Sequence, residues 1–136
     1  TKSLRSFQVK NCERLKELAV ADGSFRDFCE CVIENLPSLE VLSIGNANSY
    51  RAIGCFQDSL LELRNLPSLK SVAIGGYSYR KASAVVFENL PVLTSISFGT
   101  RACMRCSDAV FENLPALSSV SFGNETFMKC KSSRFE

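Results

Sequence analysis

The sequence predicts an α/β solenoid: a right-handed coil of short repeats with one parallel β-sheet along one face and irregular, 3₁₀ or single-turn helical return legs. Three observations predict it. An Asn followed four positions later by Leu recurs at steps of 24, 30, 24 and 24 residues, through Asn11, Asn35, Asn65, Asn89 and Asn113. Each of those five Leu residues opens an L-x-x-[LVI]-x-[VIF] segment, whose closing alternation is that of a short half-buried strand. The segments between strands, such as 83–89 and 107–113, have room for one helical turn. A single unit cannot bury its apolar edge alone, so like residues stack on like residues into a continuous core.

Residues 1–10 read as the tail of a preceding repeat, with Leu4, Phe7 and Val9 in the matching apolar slots. Repeats then occupy 11–34, 35–64, 65–88, 89–112 and 113–136 of one array spanning 1–136. The second carries six extra residues within 50–59, expected to bulge from the convex side or an edge. The core columns of the strand are Leu15, Leu39, Leu69, Leu93 and Leu117; Leu18, Leu42, Val72, Ile96 and Val120; and Val20, Ile44, Ile74, Phe98 and Phe122. Gly45, Gly75, Gly99 and Gly123 punctuate the strand ends, with Ala21 as the exception. A small polar residue and usually an aromatic follow: Ser24-Phe25, Ser49-Tyr50, Ser78-Tyr79 and Thr126-Phe127, with Ala102-Cys103 breaking the pattern. Phe28, Ile53, Ala82, Cys106 and Cys130 make the next apolar column. The return leg closes on Ile33, Leu63, Phe87, Phe111 and Phe135, after which Pro37, Pro67, Pro91 and Pro115 favour an extended turn or a helix stop.

Composition removes whole classes of chemistry. With 16 Lys and Arg against 14 Asp and Glu, the net charge of +2 is too small to indicate nucleic acid. No apolar run exceeds four residues, so no membrane span is expected. The absence of His excludes Ser-His-Asp and Cys-His nucleophilic sites and His-ligated metals. No carboxylate pair is placed opposite a nucleophile, so neither an enzyme nor a cofactor is expected. The chain opens at Thr1 without a charged leader and apolar stretch, as expected of a processed product or an excised piece.

The L-x-x-L-x-[IVF] run at a 24-residue period resembles the leucine-rich repeat. The finer pattern G-x-x-S-F-x-x-[AC], closest at Gly123–Cys130, looks like the BspA-type leucine-rich repeat of bacterial and protist surface proteins. The resemblance covers residues 11–136. It implies a curved solenoid that binds ligands, often proteins, on a concave strand face in an extracellular or cell-surface setting; it does not imply an enzyme. One departure stands out. The Asn of the usual leucine-rich ladder is present only as Asn48, and Asn instead begins each repeat.

Function is therefore expected from surfaces. The positions between the core residues of each strand face the concave side and are small. Ser43, Ser71, Ala73, Ser95, Ser97, Ser119 and Ser121 are the candidate partner-binding residues, because a smooth face admits another backbone or a second solenoid. The face lacks the Tyr, Trp or Arg anchors of most binding sites, and an inert surface is the plainer alternative. A basic stripe competes with it: Arg26, Arg51, Arg80, Lys81, Arg105 and Lys129 form either a solvated edge or a site for an acidic protein, glycan or phosphate-bearing surface. Glu34, Glu88, Glu112 and Glu136 make a second, acidic stripe interrupted by Arg64. The Asn column reads as a structural ladder in the turns.

Seven cysteines are many for this length, and Cys12, Cys103, Cys106 and Cys130 occupy apolar columns as core filler. Cys103-x-x-Cys106 lacks the further ligands of a zinc site. Cys106 and Cys130 fall on adjacent coils, a separation that permits a disulfide, so the redox compartment stays open. The sequence thus predicts a noncatalytic protein–protein interaction segment of a larger scaffold or surface protein, whose partner is a protein, another copy of itself included. The alternative is a structural module that stacks end to end into filaments. Nucleic acid is not expected, since no exposed aromatics interleave with the basic stripe.

Overall fold

The computed structural model describes residues 6–21, 23–25, 28, 30–45, 54–56, 59–127 and, for backbone alone, 132–135. In chain order its strands are β1 (Ser6–Lys10), β2 (Glu17–Val20), β3 (Glu30–Glu34), β4 (Val41–Ile44), β5 (Leu60–Arg64), β6 (Ser71–Ile74), β7 (Val85–Glu88), β8 (Ser95–Phe98), β9 (Asp108–Glu112), β10 (Ser119–Phe122) and β11 (Ser132–Phe135). They wind into a parallel-strand β-solenoid of about 4 turns, and no helix occurs among the described residues. The even-numbered strands form one five-stranded sheet in the order β10-β8-β6-β4-β2. The odd-numbered strands form a second, six-stranded sheet in the order β1-β3-β5-β7-β9-β11.

The second sheet corrects the expectation of one sheet with irregular, 3₁₀ or single-turn helical return legs. The return legs alternate with period two, as the other strands do: Cys31 and Ile33, Leu61 and Leu63, and Ala109 and Phe111 turn inward and are buried. An isolated helical turn would leave its backbone donors and acceptors without intrahelical partners. Pairing coil to coil satisfies them in a ladder, so the extended form wins. Register follows the repeat: Ser6 pairs with Glu30 and Leu61 with Val85, each 24 residues on, whereas Glu30 pairs with Leu60 across the longer second repeat.

The corner between the sheets is set by the Asn column. Asn11, Asn35, Asn65, Asn89 and Asn113 all sit in the left-handed region, with φ between 53 and 60°. Asn tolerates that conformation better than other residues bearing a Cβ. The following Leu-Pro-x-Leu closes a β-turn, with Leu39 N donating to Leu36 O at 3.2 Å and equivalent bonds in the three later copies. Pro stands at the second turn position, where its fixed φ belongs. Side-chain amides also bridge coils: Asn35 Nδ2 donates to Asn11 Oδ1 at 2.7 Å, and Asn113 Nδ2 to Asn89 Oδ1 at 2.8 Å. The structural reading of this column holds.

The third side of each coil is a run of turns with a further left-handed position at Phe25, Phe56, Tyr79, Cys103 and Phe127. Phe56 rather than Tyr50 therefore fills the aromatic slot of the second repeat; its ring stacks between Phe25 at 5.7 Å and Tyr79 at 5.5 Å. Tyr50 lies outside the described residues. Ser59 N donates to Phe56 O as Ala82 N does to Tyr79 O, so Ser59 continues the next column, and Ile53, expected there, lies outside the described residues. Seven extra residues thus enter between Gly45 and Phe56, most of them outside the described residues, and one fewer separates Ser59 from β5, which leaves the net excess of six. Gly54 marks its return: a Cβ there would lie 2.1 Å from Tyr77 O.

The core is continuous from coil to coil. Leu36, Leu39, Leu42, Ile44, Leu63, Leu66, Leu69, Ile74, Leu90 and Leu93 are fully buried. Toward β10 the same columns turn aromatic, with Phe87 stacked on Phe111 at 5.2 Å and Phe98 on Phe122 at 5.6 Å. Fully burying one such side chain stabilises the fold by about 1.5–3 kcal/mol. Cys12 departs from the expected filler role. It is exposed, because it sits on the outermost described Asn corner, where its column mates Leu36, Leu66 and Leu90 have a coil on either side. No described helix is long and apolar enough to cross a membrane.

Candidate functional site

Strand alternation brings the predicted partner-binding residues together on the outer face of the five-stranded sheet. Ser71, Ser95 and Ser119 pair in one row, and Ser43, Ala73, Ser97 and Ser121 in the next. Their neighbours in each strand, Leu42, Ile44, Val72, Ile74, Ile96 and Phe98, point into the core and are buried. Ser43, Ser71, Ala73, Ser95 and Ser97 are half-buried, and Ser119 and Ser121 are exposed. Parallel strands lie about 4.8 Å apart, so the four strands β4 to β10 present a patch about 14 Å across. No charged side chain interrupts these two rows. Val41, exposed at 39%, extends them on β4, and Glu17 and Ala19 flank them on β2.

The basic stripe is only partly described. Arg80 and Arg105 lie on adjacent coils, joined by Arg105 N donating to Arg80 O at 2.7 Å, and Lys81 is exposed beside them. Arg80 is half-buried, and its Nε is enclosed without a hydrogen-bond partner among the described residues. Arg26, Arg51 and Lys129 lie outside the described residues. A different cation, Arg101, is held in place by Glu125 at 2.8 Å and by the face of Tyr77, 5.8 Å from the ring centroid. The hydrogen bond that Arg101 Nε donates to Glu125 is the largest influence raising the guanidinium pKa above its ordinary value. On the opposite edge, the hydrogen bond from Lys70 to Glu40 at 2.8 Å holds that carboxyl below the usual carboxylate range. Solvent screens such exposed pairs, so each adds little to stability.

The acidic stripe proves to be part of a larger surface. On the outer face of the six-stranded sheet, Glu34, Glu88 and Glu112 are joined by Glu30, Glu62 and Asp108, while Glu136 lies outside the described residues. Arg64 is engaged there by Glu62 at 3.0 Å and by Glu88. Between β3 and β5 this face holds a depression of about 530 Å³, lined by Glu30, Val32, Glu34, Leu60, Glu62 and Arg64 among others. The sequence pointed to Glu34 and Arg64 but not to Glu30 or Glu62. The available signal was the two-residue spacing of Glu30, Val32 and Glu34, which places all three on one face of a strand.

The interior holds a group of thiols around a phenol. Cys31, Cys55, Cys103 and Cys106 are buried, and Tyr79 is fully enclosed with its hydroxyl beside the Cys31 thiol. Burial pushes the Cys31 thiol up to about 11, against a smaller lowering by Tyr79. Burial likewise holds the Tyr79 phenol well above its ordinary value. Such thiols are inert as nucleophiles, because the thiolate is the reactive form. Among the described residues no group of three His, Cys, Asp or Glu side chains could hold a metal. The Cys106–Cys130 pair lies outside the described residues, since Cys130 does. No protein-family model, curated protein or solved structure matches the chain.

Proposed function

We propose that the chain is a noncatalytic protein–protein interaction module, a segment of a larger scaffold or surface protein, that docks its partner on the outer face of the five-stranded sheet. One observation carries this reading. Two register-aligned rows, Ser71-Ser95-Ser119 and Ser43-Ala73-Ser97-Ser121, make a smooth surface on a rigid array. Small side chains cost little conformational entropy to immobilise and let a partner's backbone or flat sheet approach closely. The L-x-x-[LVI]-x-[VIF] columns support placing the module with the BspA-type leucine-rich repeats. The test is affinity capture with the intact protein. Ser97→Trp and Ser121→Trp should remove the captured partner, while Arg80→Glu with Arg105→Glu should keep it. The opposite pattern would move the site to the basic stripe and an acidic partner.

A second reading, end-to-end self-association, rests on a different observation. Phe122 is 51% exposed, although it stands in the column where Ile44 and Ile74 are fully covered. Leu117 and Val120 beside it are only half-buried. Light scattering separates the two readings. A mass that grows with concentration, and stops growing in Phe122→Ser, supports stacking of copies; a constant mass supports the docking module.

A further inference from the structure

We infer that the depression on the outer face of the six-stranded sheet is a second interaction site, independent of the Ser/Ala face, and that it takes an extended peptide segment carrying basic and apolar residues in alternation. Its shape, its charge and its spacing each contribute. The depression of about 530 Å³ lies over β3 and β5, with the half-buried Val32 and Leu60 as apolar floor. Register places Glu30 opposite Leu60 and Glu62 opposite Val32, so apolar and acidic groups lie on opposite diagonals. Three carboxylates, Glu30, Glu34 and Glu62, line it against one cation, Arg64.

The charges are not equivalent. Arg64 is already engaged by Glu62 and Glu88. Glu30 and Glu34 are exposed, and no ion pair engages either among the described residues, although Lys10 stands opposite Glu34 in the ladder. Among the described residues, these two carboxylates are the ones open to an incoming cation. They flank Val32 at two-residue spacing, about 6.6 Å on either side along the strand. An extended peptide has the same spacing between side chains on one face. A segment Lys-x-Leu-x-Lys lying along β3 therefore places one ammonium over Glu30, the Leu over Val32 and the second ammonium over Glu34. An acidic or a compact ligand matches neither the charge nor the spacing.

The test uses fluorescein-labelled Ser-Lys-Ser-Leu-Ser-Lys-Ser and a same-composition control, Ser-Ser-Lys-Lys-Leu-Ser-Ser, with anisotropy read on the whole protein. The alternating peptide should bind about tenfold more tightly than the control, the worth of about 1.4 kcal/mol of correctly placed pairs. Raising salt should weaken it, because exposed charges are screened beyond about 8 Å at physiological ionic strength. Glu30→Gln with Glu34→Gln should abolish the preference. Both side chains are exposed, so far-UV circular dichroism should stay unchanged. Ser97→Trp should leave peptide binding intact, which keeps this site separate from the face proposed above. Equal binding of the two peptides, or an unaltered preference in the double Gln variant, overturns the inference. So does concentration-dependent oligomerisation lost in that same variant, since the occupant would then be a second copy.

Discussion

Replacing Asn89 separates two contributions that the Asn column combines. Asn89 holds φ at 56°, and its Oδ1 accepts a hydrogen bond from Asn113 Nδ2 at 2.8 Å. Placing an ordinary Cβ-bearing residue in the left-handed region costs roughly 1–2 kcal/mol. Losing an exposed side-chain hydrogen bond costs about 0.5–1 kcal/mol. Asn89→Ala incurs both, so it should destabilise by about 1.5–3 kcal/mol. Asn89→Gly keeps the backbone conformation and loses the bond, while its freer unfolded chain adds a few tenths, so about 1 kcal/mol is expected. Asn89→Asp retains both an oxygen acceptor and tolerance of the left-handed region, and should be the mildest. Urea unfolding followed by circular dichroism measures each as a shift in midpoint at constant slope. A Gly variant as unstable as the Ala variant would show that the amide ladder, and not the backbone conformation, dominates. An Ala variant within about 0.5 kcal/mol of the parent would refute the reasoning altogether.

Three further perturbations follow from the core. Leu93 is fully buried in the column of Leu69 and Leu117, so Leu93→Ala should cost about 2–5 kcal/mol in urea unfolding; an unchanged midpoint would contradict the column assignment. Gly54→Ala puts a Cβ 2.1 Å from Tyr77 O, a backbone atom that cannot swing aside, and should lower the melting temperature sharply, where a silent substitution would disprove the close approach. Stability should also fall at alkaline pH, because burial pushes the Cys31 thiol from its ordinary value of 9.0 up to about 11. Below pH 9 the thiol is neutral in both states and its contribution is fully present. Between about pH 9 and 11 only the unfolded thiol ionises, so stability is lost progressively over that range, with Tyr79 acting in the same direction. Unfolding at pH 8 and 10.5 under reducing conditions should show the loss, diminished in Cys31→Val.

The columns were legible in the sequence because each inward position is repeated with its neighbours. Leu39, Leu69 and Leu93 identify one another, and so do the five Asn corners. The second sheet was harder. Cys31-Val32-Ile33 and Leu61-Glu62-Leu63 alternate as strands do, but runs this short do not distinguish a strand from a turn until a neighbouring coil offers its ladder. The aromatic slot misled for a related reason. Ser49-Tyr50 matches the local pattern, yet stacking and the left-handed φ belong to Phe56, because the insertion precedes that slot and one residue is missing after Ser59. The acidic depression was hidden for a third reason. Glu30 and Leu60 are 30 residues apart, and only strand pairing puts them side by side.

The two surfaces demand different partners, and strand geometry says how to tell them apart. Along the solenoid axis equivalent groups recur at the strand spacing of about 4.8 Å, whereas one face of an extended peptide repeats at about 6.6 Å. An extended peptide therefore keeps register only by lying along a strand, where it occupies one coil, as over β3. A sheet stacked on the Ser/Ala face meets several coils at once. Ser97 on β8 and Ser121 on β10 stand in one row on neighbouring strands. A partner that spans coils should be excluded by Trp at either position, and its binding should be insensitive to salt. A peptide aligned along β8 alone should lose binding to Ser97→Trp and tolerate Ser121→Trp. Surface plasmon resonance of the captured partner against both variants, at low and high salt, decides the matter. Strong salt dependence with no response to either Trp would remove the Ser/Ala face as a site.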